Sequence, residues 1–245
     1  MLFHAISAEL LKCRRSAVWV AVLGLPLLGI FVGCGNYAIN ASAMHGNPWQ
    51  DLWTQIGLFY GYFFFPILIA ILAAYLWRLE HLHHNWNSLM TAAVPVRVLF
   101  WAKLSVLGLL TLFVQCLLMA LYLLAGKLYF HLAGPLLPAM LWWLLGGWTA
   151  SLSIGALQLY LSMRIRSFAV PVGLCLLLCL MGLGLFVNGF TAFPTALMIQ
   201  GMGSLRGDTL PIPQLALFLL ENLLYIFLFA ALSVSRLKRK DVCAA

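Results

Sequence analysis

Long apolar runs, interrupted by short polar segments, extend along almost the whole chain. A helix needs roughly 20 apolar residues to cross the ~30 Å hydrocarbon core of a bilayer. None of these runs alternates apolar and polar residues with the period of two that is typical of a membrane β-barrel. We therefore predict an all-α polytopic membrane protein with six transmembrane helices, at residues 17–32, 52–77, 102–125, 137–161, 168–187 and 215–234.

The composition agrees with this pattern. Of the 245 residues, 64% are hydrophobic and only 8% are charged, and the mean hydropathy is +1.01. These values leave too little polar surface to cover a water-soluble globule of this size. The spans must be helical because hydrocarbon offers the backbone no hydrogen-bond partners.

The first apolar run could be mistaken for a signal peptide, and FVGCG at 31–35 faintly resembles a lipoprotein cleavage site. The polar lead at 1–16, Pro26 within the run and Phe31 at a position that favours small aliphatic residues argue for a retained span. No internal repeat or linker is evident. We predict a single domain over 1–245, with an interfacial helix at 1–16, a six-span bundle at 17–235 and a tail at 236–245.

The positive charges are distributed unevenly between the connections. The N-terminus, the second-to-third and fourth-to-fifth connections and the tail hold twelve of the 14 basic residues, and the other three connections hold two. Lys and Arg are retained on the cytoplasmic side of membrane proteins, so we predict that both termini are cytoplasmic. The net charge of +8 is then a topology signal and does not indicate nucleic-acid binding. The twelve are Lys12, Arg14, Arg15, Arg78, Arg97, Lys103, Arg164, Arg166, Arg236, Lys238, Arg239 and Lys240, and the two are Lys127 and Arg206.

Residues 1–16 are too polar to span, but they have an amphipathic pattern. Leu2, Phe3, Ile6, Leu10 and Cys13 fall on one helical face, and the polar and basic residues fall away from it. This pattern predicts a helix that lies on the inner leaflet before the first span. The alternative is an ordinary basic flanking segment.

Two connections on the predicted outer side are long, 35–51 and 188–213. The second contains FPTALMIQGMG at 193–203, which is apolar but too short to cross and is bracketed by Pro194 and Gly203. Such runs are typical of re-entrant or interfacial segments.

Motifs for cofactor chemistry are absent from the sequence. It has no phosphate-binding loop, no dinucleotide glycine fingerprint and no H-E-x-x-H zinc helix, so we expect no cofactor in this chain. His81, His83 and His84 of EHLHH do not share one helical face, and no second cluster completes a metal site. The six scattered cysteines indicate no disulfide framework, and we expect Cys175 and Cys179, four residues apart, to pack as small hydrophobic side chains.

The polar stretch at 78–104 lies between the second and third spans. Within it Leu82, Trp86, Leu89, Met90 and Ala93 recur at helical spacing, which predicts a short amphipathic helix. Pro95 ends that helix, and we expect Arg97 and Lys103 to mark the lipid headgroup level where the third span begins. The apolar stripe could lie on lipid or dock in a groove of another protein, and the lack of Lys on its polar face favours protein.

At this point the sequence resembles the permease subunits of type-2 ABC exporters, and within them the small permeases that bacteria use for self-immunity to lantibiotics. The resemblance rests on the basic start AELLKCRRS, on six spans in about 250 residues, and on the pattern E-x5-W-x2-L-x5-P-x-R-x5-K. That pattern comprises Glu80, Trp86, Leu89, Pro95, Arg97 and Lys103.

The resemblance implies a transport subunit that is not itself an enzyme and lies in the bacterial cytoplasmic membrane. In that family the segment after span two is a coupling helix in a cleft of a cytosolic ATP-binding subunit, the N-terminal helix is an elbow, and the last outer connection forms two short re-entrant helices. ATP and Mg²⁺ would then be bound by the partner ATPase, and a second permease, identical or related, would complete the transporter. The coupling residues implied here are Glu80, Leu82, Trp86, Leu89, Met90 and Arg97.

The substrate stays open between a lantibiotic or similar amphiphilic peptide and a lipid, an ion or a polysaccharide. Glu221 and Gln158 are the candidate substrate-path residues, because a carboxylate or amide inside a span is costly unless it has a function or a partner. The alternative is that Glu221 has no transport role and either reaches the outer surface or forms a hydrogen bond with Asn222 or a neighbouring helix. A membrane-embedded enzyme is a weaker reading, because the spans lack a converging set of catalytic polar groups, and an ion-coupled carrier would show broken helices in corresponding halves.

Overall fold

The computed structural model describes residues 1–44, 46–81, 95–134, 137–205 and 209–239. These residues are almost entirely helical and include no strand. Within the described ranges nine α-helices follow one another: α1 Leu2–Cys13, α2 Val18–Asn40, α3 Pro48–Phe59, α4 Phe65–His81, α5 Val96–Leu124, α6 Ala139–Arg164, α7 Ala169–Val187, α8 Pro194–Gly201 and α9 Ile212–Arg239.

Six helical segments among the described residues are long and apolar enough to cross a membrane, which confirms the predicted fold class. They are Val18–Ala43, Pro48–Arg78, Val96–Tyr129, Ala139–Arg164, Ala169–Val187 and Ile212–Lys238. Most extend beyond the windows predicted from hydropathy. The second and third continue through π-helical turns, Tyr60–Phe64 between α3 and α4 and Ala125–Tyr129 after α5.

The second, third and fourth spans form the centre of the bundle. Their most apolar stretches are 67%, 50% and 56% buried, against 22–28% for the other three spans. Trp53 of α3 stacks on Trp143 of α6 with ring centroids 4.8 Å apart, and the Tyr122 hydroxyl of α5 donates to the Trp49 carbonyl. The other three spans, which include α2, α7 and α9, therefore provide most of the surface that faces lipid or another chain.

The outer connection is shorter than the range predicted at 35–51, because most of these residues belong to helices. Helix α2 continues to Asn40, and α3 begins at Pro48, where the Asn47 side chain caps the helix by accepting from the Trp49 N–H at 3.0 Å. The Asn36 side-chain amide of α2 donates to the Gln55 side chain of α3. Because these polar groups bind each other, both helices extend past the windows chosen by hydropathy.

The segment after α7 is re-entrant, as predicted. The Thr195 hydroxyl at the start of α8 donates to the Leu178 carbonyl, nine residues before the end of α7. The chain therefore turns back alongside α7 before α8 begins. The resemblance implied two short helices here, and the described residues contain one, Pro194–Gly201, which is almost wholly buried.

Neighbouring contacts define the two ends of the bundle. His81 at the end of α4 lies 2.9 Å from the Ser162 carbonyl near the end of α6, and α1 packs on α5. We call the end of the bundle where α4 and α6 finish and α1 packs on the start of α5 the basic end, and we call the other end the opposite end. Helices α6 and α9 run in the same direction, because Trp142 contacts Phe218 near both starts and Tyr160 contacts Phe229 further along both.

Candidate functional site

Four charged side chains meet at the basic end and form what we call the ion-pair cluster: Glu9 and Lys12 of α1, Glu80 of α4 and Lys103 of α5. Lys103 Nζ lies 2.9 Å from Glu9 Oε2 and 2.7 Å from Glu80 Oε1. Lys12 Nζ lies 2.6 Å from Glu9 Oε1 and 2.8 Å from Glu80 Oε1. Each lysine thus bridges both carboxylates, and the cluster joins three helices.

Three of the four side chains are shielded from water, and the fourth, Lys12, is 29% exposed. The Lys103 side chain is 0% exposed and both glutamate side chains are 4% exposed. Lys103 Nζ also donates to the Leu76 carbonyl at 2.6 Å and sits over the Trp77 ring. Three oxygen acceptors therefore surround this buried ammonium group, which meets the requirement that a buried charge be paired and hydrogen-bonded.

Ion pairing outweighs burial in its effect on the pKa values of Glu80 and Lys12. Burial alone would raise the pKa of Glu80, but Lys103 and Lys12 together hold that pKa below its usual value. Burial opposes the charge on Lys12, and the two carboxylates nevertheless raise the pKa of this lysine. The cluster contains two carboxylates and two ammonium groups, so its formal charges cancel.

The ion-pair cluster brackets the segment at 82–94. Glu80 lies two residues before this segment, and Pro95 follows it directly, with Arg97 exposed in the first turn of α5. The predicted coupling residues Leu82, Trp86, Leu89 and Met90 lie outside the described residues, so their role stays a prediction. Their two attachment points, α4 and α5, are held together through Glu80 and Lys103.

Two expectations about this region need correction or refinement. The Lys103 ammonium group is buried in the ion-pair cluster, so it pairs within the protein rather than with lipid headgroups, and its depth in the membrane stays a prediction. Glu80 faces Lys12 and Lys103 of its own chain, whereas Arg97 is exposed, so the two charges predicted to flank the coupling helix have different surroundings.

Glu9 was missed by the sequence analysis, although a signal for it exists. The chain has only six acidic residues, and Glu9 precedes Lys12 by one helical turn, as an intrahelical pair would. In α1 the predicted apolar face is divided: Glu9 and Cys13 are buried against the bundle, whereas Phe3 is 83% exposed and Leu10 36%. Burial raises the pKa of the Cys13 thiol, consistent with a packing role.

The candidate substrate-path residues lie apart from the cluster. Glu221 is half-buried and lies nine residues after Ile212, about 14 Å into the helix at 1.5 Å per residue, which is deeper than the predicted span placed it. Its neighbour Asn222 is fully buried and donates to the Phe218 carbonyl of its own helix. Gln158 is also fully buried and lies beside the Cys175 thiol, and its amide atoms have no conventional hydrogen-bond partner among the described residues.

The positions of Cys175 and Cys179 agree with the packing role that we expect for them. Cys175 and Cys179 are buried and free, and the Cys175 thiol donates to the Pro66 carbonyl at 3.3 Å. No group of three potential metal ligands occurs in the part of the chain that the structure describes. His83 and His84 lie outside that part.

Comparison with known families agrees with this architecture. The helical bundle defines the chain as a multi-pass membrane protein, and the model of the ABC-2 family transporter proteins matches residues 5–182. The chain belongs to this family of membrane transport subunits. No curated protein matches the chain.

Proposed function

We propose that the chain is the permease subunit of an ABC exporter, driven by ATP that cytosolic ATP-binding subunits hydrolyse. The family match over residues 5–182 carries this proposal. The ion-pair cluster supports it, because Glu80 and Lys103, which lie on either side of the segment at 82–94 in the sequence, are buried and paired with each other. A segment that transmits force to the spans needs such rigid attachments.

The proposed mechanism uses the segment at 82–94 as the docking element. Trp86, Leu89 and Met90 enter a cleft of the ATP-binding subunit, and exposed Arg97 contacts its surface. When the ATP-binding subunits close, the segment moves, and Glu80 and Lys103 transmit the motion to α4, α5 and α1. The ATP and Mg²⁺ are bound by the partner throughout.

The test is to weaken the docking stripe with Trp86→Ala combined with Leu89→Ala. Truncating a buried aromatic anchor typically costs ~2 kcal/mol or more of binding, which corresponds to at least ~25-fold weaker association. Pull-down of the co-expressed ATP-binding subunit and its permease-stimulated ATP hydrolysis would be measured at matched membrane abundance.

A matched control lies at the opposite end of the third span. Leu128 and Tyr129 are 70% and 72% exposed, so Leu128→Ala with Tyr129→Ala removes a similar apolar pair from a site far from the docking stripe. This control should retain assembly and coupled hydrolysis. If the Trp86 and Leu89 variant also retains both, the segment is not the coupling element.

We further propose that the substrate is an amphiphilic peptide of the lantibiotic kind. Such peptides are commonly cationic, and Glu221 offers a carboxylate deep in the last span. Glu221→Gln should lower protection against a cationic lantibiotic, measured at matched abundance, whereas Asp51→Asn should not. Unchanged protection in Glu221→Gln would remove Glu221 from the substrate path and leave lipid, ion or polysaccharide export as alternatives.

The transporter also needs a second permease, identical or related to this chain, in the proposed arrangement. Helix α9 presents an exposed apolar stripe of Leu217, Leu220, Leu224 and Leu228, each 50–60% exposed. Its spacing of three and four residues places it on one helical face. This surface suits either lipid or a second permease.

A further inference from the structure

Three spans have a boundary close together at the basic end. The apolar parts of the second, fourth and fifth spans are bounded there by Arg78, Arg164 and Ala169. The guanidinium carbon of Arg78 lies 5.8 Å from the centre of the Phe168 ring, directly before α7. Arg166 lies in the turn between α6 and α7, and both Arg78 and Arg166 are exposed. We call Arg78, Arg166 and Phe168 the arginine patch, and we expect it at the level of the lipid headgroups, because the apolar spans end there.

The arginine patch carries a net positive charge. Among the described residues every ion pair belongs to the ion-pair cluster, so neither arginine of the patch is paired with a carboxylate of that part of the chain. Outside the described residues the sequence has two acidic residues, Asp208 in the connection before α9 and Asp241 in the tail. Asp208 belongs to the opposite end, where α9 begins. A single carboxylate from the tail would still leave one of the two arginines unpaired.

A partly exposed apolar stripe leads from the arginine patch along α4. Ile67, Ile71 and Arg78 are separated by four and seven residues, so they lie on one face of the helix, and both isoleucines are partly exposed. The distance from Ile67 to Arg78 is about 16 Å along the helix axis, at 1.5 Å per residue. This length is close to half of the ~30 Å hydrocarbon core, so the stripe has the length of one leaflet.

Helix α7 borders the same stripe. Val172 and Cys175 of α7 pack beside Ala70 of α4, and we call this contact between the two helices the α4–α7 seam. Leu176 and Leu180 of α7 are four residues apart and are 43% and 53% exposed. Exposed apolar side chains therefore accompany the seam on both helices below the arginine patch.

The combination of charge and apolar surface fits a phospholipid. Guanidinium groups bind phosphate oxygens with paired hydrogen bonds, and basic pockets between spans on the cytoplasmic side bind anionic headgroups. A choline headgroup brings its own positive charge, which the two arginines repel, so the patch favours a headgroup with a net negative charge. The apolar stripe runs along the spans, which suits an acyl chain better than the surface of a cytosolic subunit.

We propose that the arginine patch and the α4–α7 seam bind an anionic phospholipid of the inner leaflet. Arg78 and Arg166 bind the phosphate group, and an acyl chain lies along Ile67 and Ile71. The site requires neither ATP coupling nor the transported substrate, so it can be tested on the full chain without an ATP-binding subunit.

The test uses two photoreactive phospholipids with identical acyl chains, phosphatidylglycerol and phosphatidylcholine. The full-length chain would be reconstituted in phosphatidylcholine nanodiscs with a trace of one probe and crosslinked, and the labelled residues would be mapped by mass spectrometry. The phosphatidylglycerol probe should label α4 and α7 along the seam saturably, with displacement by unlabelled phosphatidylglycerol but not by an excess of inorganic phosphate. The phosphatidylcholine probe should label the seam at least about tenfold less, because it lacks the net charge.

Charge substitutions locate the headgroup. Arg78→Gln with Arg166→Gln should reduce phosphatidylglycerol labelling about 30-fold, from the usual contribution of two basic residues at an anionic surface. Arg78→Lys with Arg166→Lys keeps both charges and should restore most of the labelling. The matched control is Arg236→Gln with Lys238→Gln, which removes two exposed charges from the end of α9, a helix that packs on α6 and α5, and it should label normally. Thermal unfolding of each variant would identify any that misfolds.

Four results would overturn the proposal. Equal labelling of the unsubstituted chain by both probes would show contact with bulk lipid only, and displacement by inorganic phosphate would show a site for free anions. An equal loss in the α9 control would show a diffuse attraction to the whole basic end. A folded glutamine variant that labels normally but no longer retains the ATP-binding subunit in a pull-down would assign the patch to that subunit. The proposed permease function is tested separately through Trp86 and Leu89, so its failure would be distinguishable.

Discussion

Lys103 is the residue on which the structure of the basic end depends most directly. Its ammonium group contacts Glu9, Glu80 and the Leu76 carbonyl within 3 Å, and it lies 4.8 Å from the centre of the Trp77 ring. Removing one partner of a buried ion pair leaves the others uncompensated, which is far more damaging than losing a surface pair.

We therefore predict that Lys103→Met destabilises the protein strongly. The expected loss is ~3–5 kcal/mol, as for other broken buried ion pairs, and it should appear as a lower thermal midpoint and lower membrane abundance. Lys127→Met is the matched control, because Lys127 belongs to the same span but is exposed, and it should change stability little.

A double substitution separates charge balance from packing. Lys103→Met with Glu9→Gln leaves Lys12 and Glu80 as a neutral pair, so it should recover part of the lost stability. A double variant as unstable as the sum of its single variants would show that Glu9 and Lys103 do not interact.

The cluster also shows why residue roles at this end were only partly predictable. Glu80 and Lys103 were recognised from a local pattern, and the flanking polarity correctly drew attention to this region. Their partner Glu9 is 94 residues from Lys103 in the sequence, and no periodicity connects residues so far apart. The burial of Lys103 follows from this long-range pairing, which hydropathy and charge counting do not detect.

Helix α8 is the element that fits most tightly into its surroundings. A Cβ atom at Gly201 would lie 2.5 Å from the Gly146 carbonyl oxygen, and one at Gly146 would lie 2.4 Å from the Gly201 carbonyl oxygen. Because the obstructing atoms belong to the backbone, a side chain at either position would push α8 away from α6. The Trp53 indole N–H donates to the Met202 carbonyl at 2.7 Å, so α3 would be disturbed too.

We predict that Gly201→Ala destabilises the protein by ~1–3 kcal/mol, the usual cost of overpacking, measured by thermal unfolding in detergent. In an unhindered helix, alanine is favoured over glycine by roughly 0.5–1 kcal/mol. Gly184 in α7 has open space at its Cβ position, so Gly184→Ala should be neutral or stabilising. Equal effects of the two substitutions would contradict the close α6–α8 contact.

For the helices, the sequence predicted which segments are helical better than it predicted where each helix begins and ends. The run at 193–203 was identified as re-entrant from its length, Pro194 and Gly203, and these features are local. The ends of α2 and α3 were misjudged because Asn36 and Gln55 lower the hydropathy of a window, although they bind each other inside the fold. Polar residues that pair within a bundle cannot be distinguished from loop residues by composition alone.

At the scale of the whole molecule, the arrangement is a central set of three spans flanked by three peripheral ones. The six spans return the chain to the end at which it began, and the parallel course of α6 and α9 agrees with this. The basic residues concentrate at this end, which is the basis for our prediction that it faces the cytoplasm.

We predict that reporter fusions after Leu161 and at the C-terminus report a cytoplasmic location, and that a fusion after Ala133 reports the outside. The reason is the twelve-to-two distribution of Lys and Arg between the two sides and its effect on membrane insertion. Paired alkaline phosphatase and fluorescent protein fusions would measure this. An external C-terminus would contradict the predicted orientation.

The ion-pair cluster has a consequence for biogenesis. As the chain is synthesised from the N-terminus, Glu9, Lys12 and Glu80 emerge before Lys103, so they carry a net negative charge until the third span arrives. Glu80 and Lys103 pair with each other within the hairpin of the second and third spans, so these two residues add no net charge to a hairpin that inserts as a unit. Glu9 and Lys12 form a second pair within α1, so the cluster is completed when α1 packs against the inserted hairpin.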